Sequence, residues 1–158
     1  MPDQEEQEDN SIIIATFPKN NREAICMGIS EYKGKNLLFI RAYVPTFGDG
    51  LIPTRNGISL GIDKCDELIT GIKALEDVMS NEKIVAKIKK NGKEEVRIAV
   101  STYREIPLIQ IRTYAAYKEG DEMKPTKKGV SMNVNLLPQL VESAEKLSAA
   151  VKALGTNP

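Results

Sequence analysis

Residues 40–43 read Ile-Arg-Ala-Tyr, and residues 111–114 read Ile-Arg-Thr-Tyr. Successive side chains of a β-strand point to opposite faces of its sheet, so the Ile of each quartet lies on one face while its Arg and Tyr share the other. Apolar residues that alternate with a cation and an aromatic predict a strand with one buried and one open face. The two quartets therefore predict the same kind of strand in two separate parts of the chain.

The similarity between the quartets extends into a repeat that spans most of the chain. A shift of 71 positions also superimposes residues 19–20 (KN) on residues 90–91 (KN). After one extra residue the shift becomes 72, and residues 53–59 (PTRNGIS) fall on residues 125–131 (PTKKGVS). Identities that keep their order and share a Gly-containing motif indicate an internal duplication.

Each half of the repeat predicts four strands followed by one helix. Segments rich in Ile, Val, Tyr and Phe lie between turn clusters, and they predict strands at 12–17, 24–32, 36–44, 57–62, 84–89, 95–103, 108–117 and 129–134. Apolar residues at helical spacing predict a helix over about 64–79 with Asp63 as its N-cap, and a second helix from near Pro138 to Gly155. The fold class is thus α+β, with two tandem ββββα units.

The boundaries of the parts follow from composition and spacing. We predict an acidic, disordered tail at 1–10, a first unit at 11–80 and a second unit at 81–158. The linker between the first helix and the next strand is only a few residues long, so the two units should pack together. The apolar face of each sheet needs a helix as its cover.

The opposite face of each predicted sheet carries aromatic and cationic side chains. Strand parity assigns to it Tyr32, Phe39, Arg41, Tyr43, Arg97, Tyr103, Gln110, Arg112 and Tyr114. A face that alternates Arg with Tyr suits the stacking of bases beside contacts to phosphates. The alternative is that these residues are only cross-strand packing pairs.

Composition and charge narrow the class of protein. Lys and Arg together number 22, as do Asp and Glu, but residues 1–10 hold five acidic and no basic residues, whereas residues 81–158 hold 14 basic against 9 acidic ones. The second half therefore predicts an electropositive surface. The chain contains no His, no clustered carboxylates and no Gly-rich phosphate loop, so we expect neither an enzyme nor a cofactor or metal site.

The remaining sequence features predict an ordinary intracellular protein. Cys26 and Cys65 have no paired spacing, and we expect both to be structural. The apolar runs are far shorter than the roughly 20 residues that span a bilayer, and the acidic start lacks the apolar segment of a signal peptide. We therefore expect no membrane partner and a location in the nucleus of a eukaryote, or in the cytoplasm or nucleoid of a bacterium or phage-infected cell.

Residues 32–35 (YKGK), 40–43 (IRAY) and 53–60 (PTRNGISL) resemble the core of the transcriptional coactivator positive cofactor four family, and residues 120–131 are similar in the second half. The resemblance covers about 12–78 and 84–151. It implies curved antiparallel four-stranded sheets, each followed by a helix, and two units that pair through their helices. It also implies binding of single-stranded DNA along the sheet faces. This chain would then be an intrachain pseudo-dimer, with further self-association left open.

The resemblance also implies which side chains contact DNA. In this sequence they are Tyr32, Lys33, Lys35, Arg41, Tyr43, Arg55, Arg97, Tyr103, Arg104, Arg112, Tyr114, Lys124, Lys127 and Lys128, of which Arg97 is added from strand parity. The pattern departs from the family where residues 104–106 (REI) replace the basic turn and where Asn56 and Ile52 replace basic residues. We therefore expect either weaker binding than a complete dimer would give or unequal sharing of the nucleic acid between the halves.

The function predicted from these features is low-specificity binding of single-stranded DNA in transcription, replication or recombination. Three alternatives stay open: binding of RNA, binding of melted duplex, and a coactivator-type module that docks transcription or replication proteins. The acidic tail is a solubilising extension, a nucleic-acid mimic that folds back on the basic face, or a docking tail for partner proteins.

Overall fold

The computed structural model describes residues 11–48, 50–78 and 82–155. The predicted acidic tail at 1–10 and the end of the predicted first helix at residue 79 lie outside the described residues. The strands are β1 Ile12–Pro18, β2 Ala24–Tyr32, β3 Lys35–Pro45, β4 Leu51–Gly61, β5 Lys83–Lys89, β6 Glu94–Tyr103, β7 Ile106–Ala115 and β8 Lys124–Asn133. The α-helices are α1 Cys65–Ala74 and α2 Leu137–Gly155.

The strands form two antiparallel sheets with strand orders β1-β2-β3-β4 and β5-β6-β7-β8. Each sheet is followed by a short 3-10 turn and then by its helix, which confirms the tandem ββββα arrangement. Neighbouring strands pair in sequence order through short hairpins, which is the simplest way to build an antiparallel sheet.

Several expectations about element ends are wrong. Strand β7 ends at Ala115 rather than at residue 117, and α1 ends at Ala74, where a 3-10 turn over Leu75–Asp77 follows. Strands β4 and β8 begin at Leu51 and Lys124 rather than at residues 57 and 129, because pairing continues past a β-bulge opposite the Arg-x-Tyr positions of β3 and β7. Asp63 does not cap α1, because it lies inside the 3-10 turn Ile62–Lys64 and the N-cap position is Lys64. In the second unit, by contrast, Asn133 Oδ1 accepts a hydrogen bond from the backbone N–H of Asn135.

The two units share one apolar core. The core joins inward residues of both sheets, such as Ile25, Ile40 and Ile98, to Leu68 of α1 and Leu140 of α2. Burial of a side chain of this size stabilises the folded state by roughly 1.5–3 kcal/mol. The described units are therefore held together by the same apolar contacts that stabilise each sheet.

Each helix packs chiefly against the sheet of the other unit. Helix α1 contacts β5, helix α2 contacts β1 and β2, and the two helices contact each other. At Gly71 of α1 a Cβ atom would lie 2.7 Å from Ile98 Cδ1 and 2.8 Å from Ala86 Cβ, so the glycine permits the close approach of α1 to the second sheet. Both covered faces therefore turn inward, and neither described helix covers the opposite face of its sheet, which we call the open face.

No helix within the described ranges is long and apolar enough to cross a membrane.

Candidate functional site

The Arg of each Ile-Arg-x-Tyr quartet is held in the same way in both units. Arg41 donates from Nη1 to the backbone carbonyl of Thr54 at 3.0 Å, and Arg112 does the same to Thr126 at 3.0 Å. The Thr hydroxyl in turn donates 2.8 Å across the bulge to the carbonyl of the residue after the Arg. In each unit, the Thr of the duplicated Pro-Thr motif thus fixes the orientation of the arginine side chain.

Glycine is required beside this arginine. A Cβ atom at Gly57 would lie 2.6 Å from the carbonyl oxygen of Ile40 and 2.8 Å from Arg41 Cα, and one at Gly129 would lie 2.8 Å from Arg112 Cα. No L side chain fits at those distances, because β4 and β8 run directly beside the arginine backbone. The Gly of the Gly-Ile/Val-Ser motif is therefore explained by packing.

The β2–β3 and β6–β7 hairpin tips carry an aromatic ring with a cation above it. Lys33 Nζ lies 5.3 Å from the Tyr32 ring centroid, and Arg104 Cζ lies 5.3 Å from that of Tyr103. Both turns have two central residues at positive φ, the geometry of a type I′ hairpin turn. The second turn therefore keeps the shape of the first although Glu105 (φ 69°) replaces Gly34. The ring of Tyr103 is 59% exposed.

The open face of the second sheet is polar and charged. The register places Lys87, Arg97 and Arg112 side by side on β5, β6 and β7. Arg97 Cζ lies 4.1 Å from the Tyr114 ring centroid, and its Nε donates to Glu95 at 2.5 Å. A second hydrogen bond, from Arg112 Nη2 to Gln110 Oε1 at 3.2 Å, fixes the other arginine. Arg97, Gln110, Arg112 and Tyr114 line a shallow cavity of about 270 Å³.

The open face of the first sheet is apolar at the same positions. Cys26, Phe39 and Tyr43 form a small buried cluster there, with Tyr43 only 7% exposed. Thr16 Oγ1 lies 3.3 Å from Cys26 Sγ, within hydrogen-bond distance. Burial raises the pKa of the Cys26 thiol. The pKa of Tyr43 is also raised, mainly by burial and to a smaller extent by the nearby Cys26 thiol. This face holds its aromatic ring in packing contacts rather than presenting it to solvent.

A third group of cations lies where the two sheets meet. Strand β4 packs beside β8, and a cavity of about 410 Å³ opens between them, which we call the seam pocket. Its described lining contains five cationic side chains and no acidic one: Arg41, Arg55, Lys90, Lys127 and Lys128. A smaller cavity of about 180 Å³, the counterpart pocket, includes Lys19, Glu23 and Arg112 in its lining.

The structure distributes the predicted contact residues over three places. Arg97, Arg112 and Tyr114 lie together on the second open face, and the two tyrosine–cation pairs lie at the hairpin tips. Arg41, Arg55, Lys127 and Lys128 line the seam pocket. Lys35 and Lys124 are exposed at strand starts, whereas Tyr43 is buried.

The sequence prediction missed three residues beside these groups. Lys90 and Thr113 line the seam pocket, and Lys87 flanks Arg97. The Lys-Asn identity at residues 90–91 was a signal for Lys90, but Thr113 has Ala42 as its equivalent and gave none. Within the part of the chain that the structure describes, no group of three or more Cys, Asp or Glu side chains could hold a metal ion.

Comparison with known proteins identifies the relatives of this chain. The family model described as Transcriptional Coactivator p15 (PC4) matches residues 19–71 and again 90–143. The RNA polymerase II transcriptional coactivator SUB1 of Saccharomyces cerevisiae is 37% identical over 60 residues, which cover 38% of this chain and 20% of SUB1. The matched stretch thus spans about a fifth of that relative's length.

Solved structures of small homologues match single parts of the chain. A PC4 homologue from Burkholderia pseudomallei is 27% identical in its tetragonal crystal form, covering 39% of this chain and 90% of the homologue at a TM-score of 0.35. A bacteriophage T5 homologue of PC4, described as implicated in recombination-dependent DNA replication, is 24% identical, covering 47% of this chain and 92% of its own at a TM-score of 0.32. The family model matches this chain twice, and the two matches together cover more than half of the chain's residues. This chain therefore belongs to the transcriptional coactivator p15 (PC4) family, and it carries two family units in one polypeptide.

Proposed function

We propose that this chain binds single-stranded DNA with low sequence specificity along its open sheet faces, in a transcription-related role. The observation that carries the proposal is the second open face, where Arg97, Arg112 and Tyr114 form one contiguous surface. Family membership supports the same class of partner and the transcription-related role.

The contacts of this face suit a single strand. Bases stack on aromatic rings and on arginine guanidinium planes, and Arg97 lies stacked over Tyr114. Arg112 and Lys87 lie on either side of Arg97 and supply positive charge for phosphates. Tyr103 extends the stacking surface to the hairpin tip, where its ring is exposed. An unpaired strand exposes both its bases and its phosphates to such a surface, whereas a duplex hides its base faces.

The first sheet takes the smaller share of the strand. Its equivalent positions hold Cys26, Phe39 and the buried ring of Tyr43, so the contact groups of the first unit lie elsewhere, with Tyr32 and Lys33 at the hairpin tip and Arg41 and Arg55 in the seam pocket. We therefore infer that stacking is concentrated on the second unit, with the first unit adding charge at its hairpin tip.

The test is fluorescence anisotropy of a labelled 20-nucleotide oligo-dT against its duplex and against oligo-U, over a series of salt concentrations. We expect preference for the single strand and a log–log salt slope near −0.7 per phosphate neutralised. Equal binding of DNA and RNA would make the chain a general single-strand binder. Absent binding of all three would overturn the proposal and favour a protein partner for the same surface.

A pair of double variants assigns the binding to the faces. Tyr103→Ala/Arg112→Ala should weaken oligo-dT binding by roughly 100-fold, since stacking alone is worth about 1–3 kcal/mol per base. The matched control Tyr32→Ala/Arg41→Ala removes the same side-chain types from the equivalent positions of the first unit and should cost less affinity. Thermal unfolding of both variants checks that the fold survives the loss of the hydrogen bonds from each arginine side chain to the backbone carbonyl of Thr54 or Thr126.

A further inference from the structure

The seam pocket and the counterpart pocket are related by the internal repeat. Arg41, Lys90 and Thr113 of the seam pocket correspond to Arg112, Lys19 and Ala42 of the counterpart pocket, and the Gly57-Ile58-Ser59 segment corresponds to 129–131. The duplicated chain thus builds the same cavity twice, once on each side of the β4–β8 contact. Differences between the two cavities can therefore be read residue by residue.

The first difference is the partner of the lysine side chain in each pocket. In the counterpart pocket Lys19 Nζ lies 3.1 Å from Glu23 Oε1, and both residues line the cavity. In the seam pocket Lys90 Nζ donates instead to Ser59 Oγ at 3.5 Å. Glu94, the repeat equivalent of Glu23, accepts from Asn91 Nδ2 at 3.0 Å and is not part of the described lining. One lysine is therefore paired with a carboxylate, and the other faces the cavity beside a hydroxyl.

The second difference is a buried hydroxyl. Thr113 is 1% exposed and lines the seam pocket, and its Oγ1 is the one buried side-chain polar atom among the described residues with no hydrogen-bond partner. Buried polar atoms are nearly always hydrogen-bonded, so this hydroxyl is available to donate a hydrogen bond to a group bound in the cavity. Ala42, its counterpart, has no such atom and lies in the apolar core.

We propose that the seam pocket is a binding site for a phosphate group and that the counterpart pocket is not. Phosphate oxygens accept hydrogen bonds from ammonium, guanidinium and hydroxyl groups, which are the groups supplied here by Lys90, Thr113 and Lys128 together with the two arginines. The phosphate is either a phosphodiester of a bound DNA strand or a free phosphate ion. The first of these two forms rests on the proposed function. In the counterpart pocket the Glu23 carboxylate repels the same ligand.

The strand form of the site is tested by salt slopes for oligo-dT on the full chain. Lys90→Gln should reduce the magnitude of the slope by about 0.7, the value for one phosphate on a single strand. The matched control Lys19→Gln removes the equivalent lysine, which is already paired, and should leave the slope unchanged. Equal effects of the two variants would overturn the difference between the pockets.

Thr113→Ala separates a ligand contact from a structural role. The equivalent position already holds Ala42, so the variant should fold, and removal of an unsatisfied buried hydroxyl should leave the melting temperature unchanged or higher. Binding should nevertheless weaken several-fold. Unchanged binding together with the same or greater stability would contradict a contact between this hydroxyl and the phosphate.

Inorganic phosphate tests the pocket independently of any strand. Titration of the full chain with phosphate, followed by NMR, should shift the Thr113 methyl signal in the parent protein and not in Lys90→Gln. If oligo-dT does not bind at all but this shift occurs, the proposed function fails and the phosphate site stands with free phosphate as its ligand. If neither the salt slope nor the NMR signal responds to Lys90→Gln, the site is refuted.

The counterpart pocket offers a gain-of-function test. Glu23→Gln combined with Ala42→Thr gives it the lysine and hydroxyl arrangement of the seam pocket. The double variant should increase the magnitude of the salt slope by about 0.7, as expected for one additional phosphate contact. A slope equal to that of the parent in a folded double variant would show that these two residues do not account for the difference.

Discussion

The open faces of the two sheets occupy equivalent places in a duplicated fold and have opposite character. At positions related by the repeat, the first face has Cys26 and Phe39 where the second has Arg97 and Gln110. The tyrosine that follows is buried among the apolar pair in the first unit and stacked under an arginine in the second. These residue differences accompany the change from a buried ring in the first unit to a ring that lines a cavity with two arginines in the second.

The comparison teaches how a chain with two copies of one unit can specialise. In a homodimer of a single unit every contact residue is present twice, so a change that improves packing on one face is imposed on the other. Here each copy has its own sequence, and stability and binding can be assigned to different faces. The seam pocket and the counterpart pocket differ in the same way. Glu23 pairs with Lys19 in the counterpart pocket, whereas its equivalent Glu94 accepts a hydrogen bond from Asn91 and does not line the seam pocket.

The largest expected effect is a loss of stability, and its absence would contradict the difference between the two open faces. Phe39→Ala opens a cavity in the apolar cluster and should lower the free energy of unfolding by about 3–5 kcal/mol. Gln110→Ala at the equivalent position removes one partly exposed hydrogen bond to Arg112 and should cost no more than about 1.5 kcal/mol. Equilibrium urea unfolding of both variants measures the difference, and equal losses would contradict the assignment of the faces.

Next in size is the effect of the equivalent tyrosines on binding. Tyr114→Ala should weaken oligo-dT binding by about 1–3 kcal/mol because a stacking surface is lost. Tyr43→Ala should leave the affinity nearly unchanged and reduce stability instead, since that ring is buried. Anisotropy titrations paired with thermal melts measure both quantities. A larger loss of affinity from Tyr43→Ala would move the binding surface to the first sheet.

The hairpin tips predict a smaller effect. Glu105 adopts φ 69°, a left-handed conformation that costs an L residue roughly 1–2 kcal/mol, whereas the first tip has Gly34 there. Glu105→Gly should therefore raise the free energy of unfolding by about 1 kcal/mol. Glu105→Gln, which removes the charge and keeps the backbone strain, is the control in urea unfolding. Equal stabilisation by both would attribute the effect to charge.

The last effect appears only at alkaline pH and sharpens the account of the first face. Burial raises the pKa of the Cys26 thiol in the folded state, so the unfolded chain loses this proton first as pH rises. Stability is therefore complete below the thiol's ordinary pKa and declines above it, by up to about 1.4 kcal/mol per pH unit for one proton. Cys26→Ala should show a shallower decline between pH 8.5 and 10 in urea unfolding at stepped pH, roughly the range in which unfolded thiols titrate. An unchanged slope of stability against pH would mean that the Cys26 thiol does not contribute to the decline.

Much of the fold could be read from local patterns. Alternating residues at 40–43 and 111–114 predicted the central strands, and the repeat predicted two units with four strands and a helix each. The starts of β4 and β8 were placed too late because Pro and Thr before a Gly resemble a loop, whereas the Thr side chain bridges a bulge that only the paired strand reveals. Asp63 was a reasonable cap by residue type, but the 3-10 turn moved the helix start past it.

The sequence by itself determined the duplicated unit, the faces of its strands and the cationic residues that could meet a nucleic acid. Those properties depend on side-chain order and on the two-residue period of a strand, which are local. The tertiary structure decided that each helix covers the other unit's sheet and that Tyr43 is buried. It also decided that Lys90 and Thr113 meet Arg41 and Lys128 in one pocket. These outcomes depend on contacts between residues far apart in the chain, which exist only once the two units have packed together.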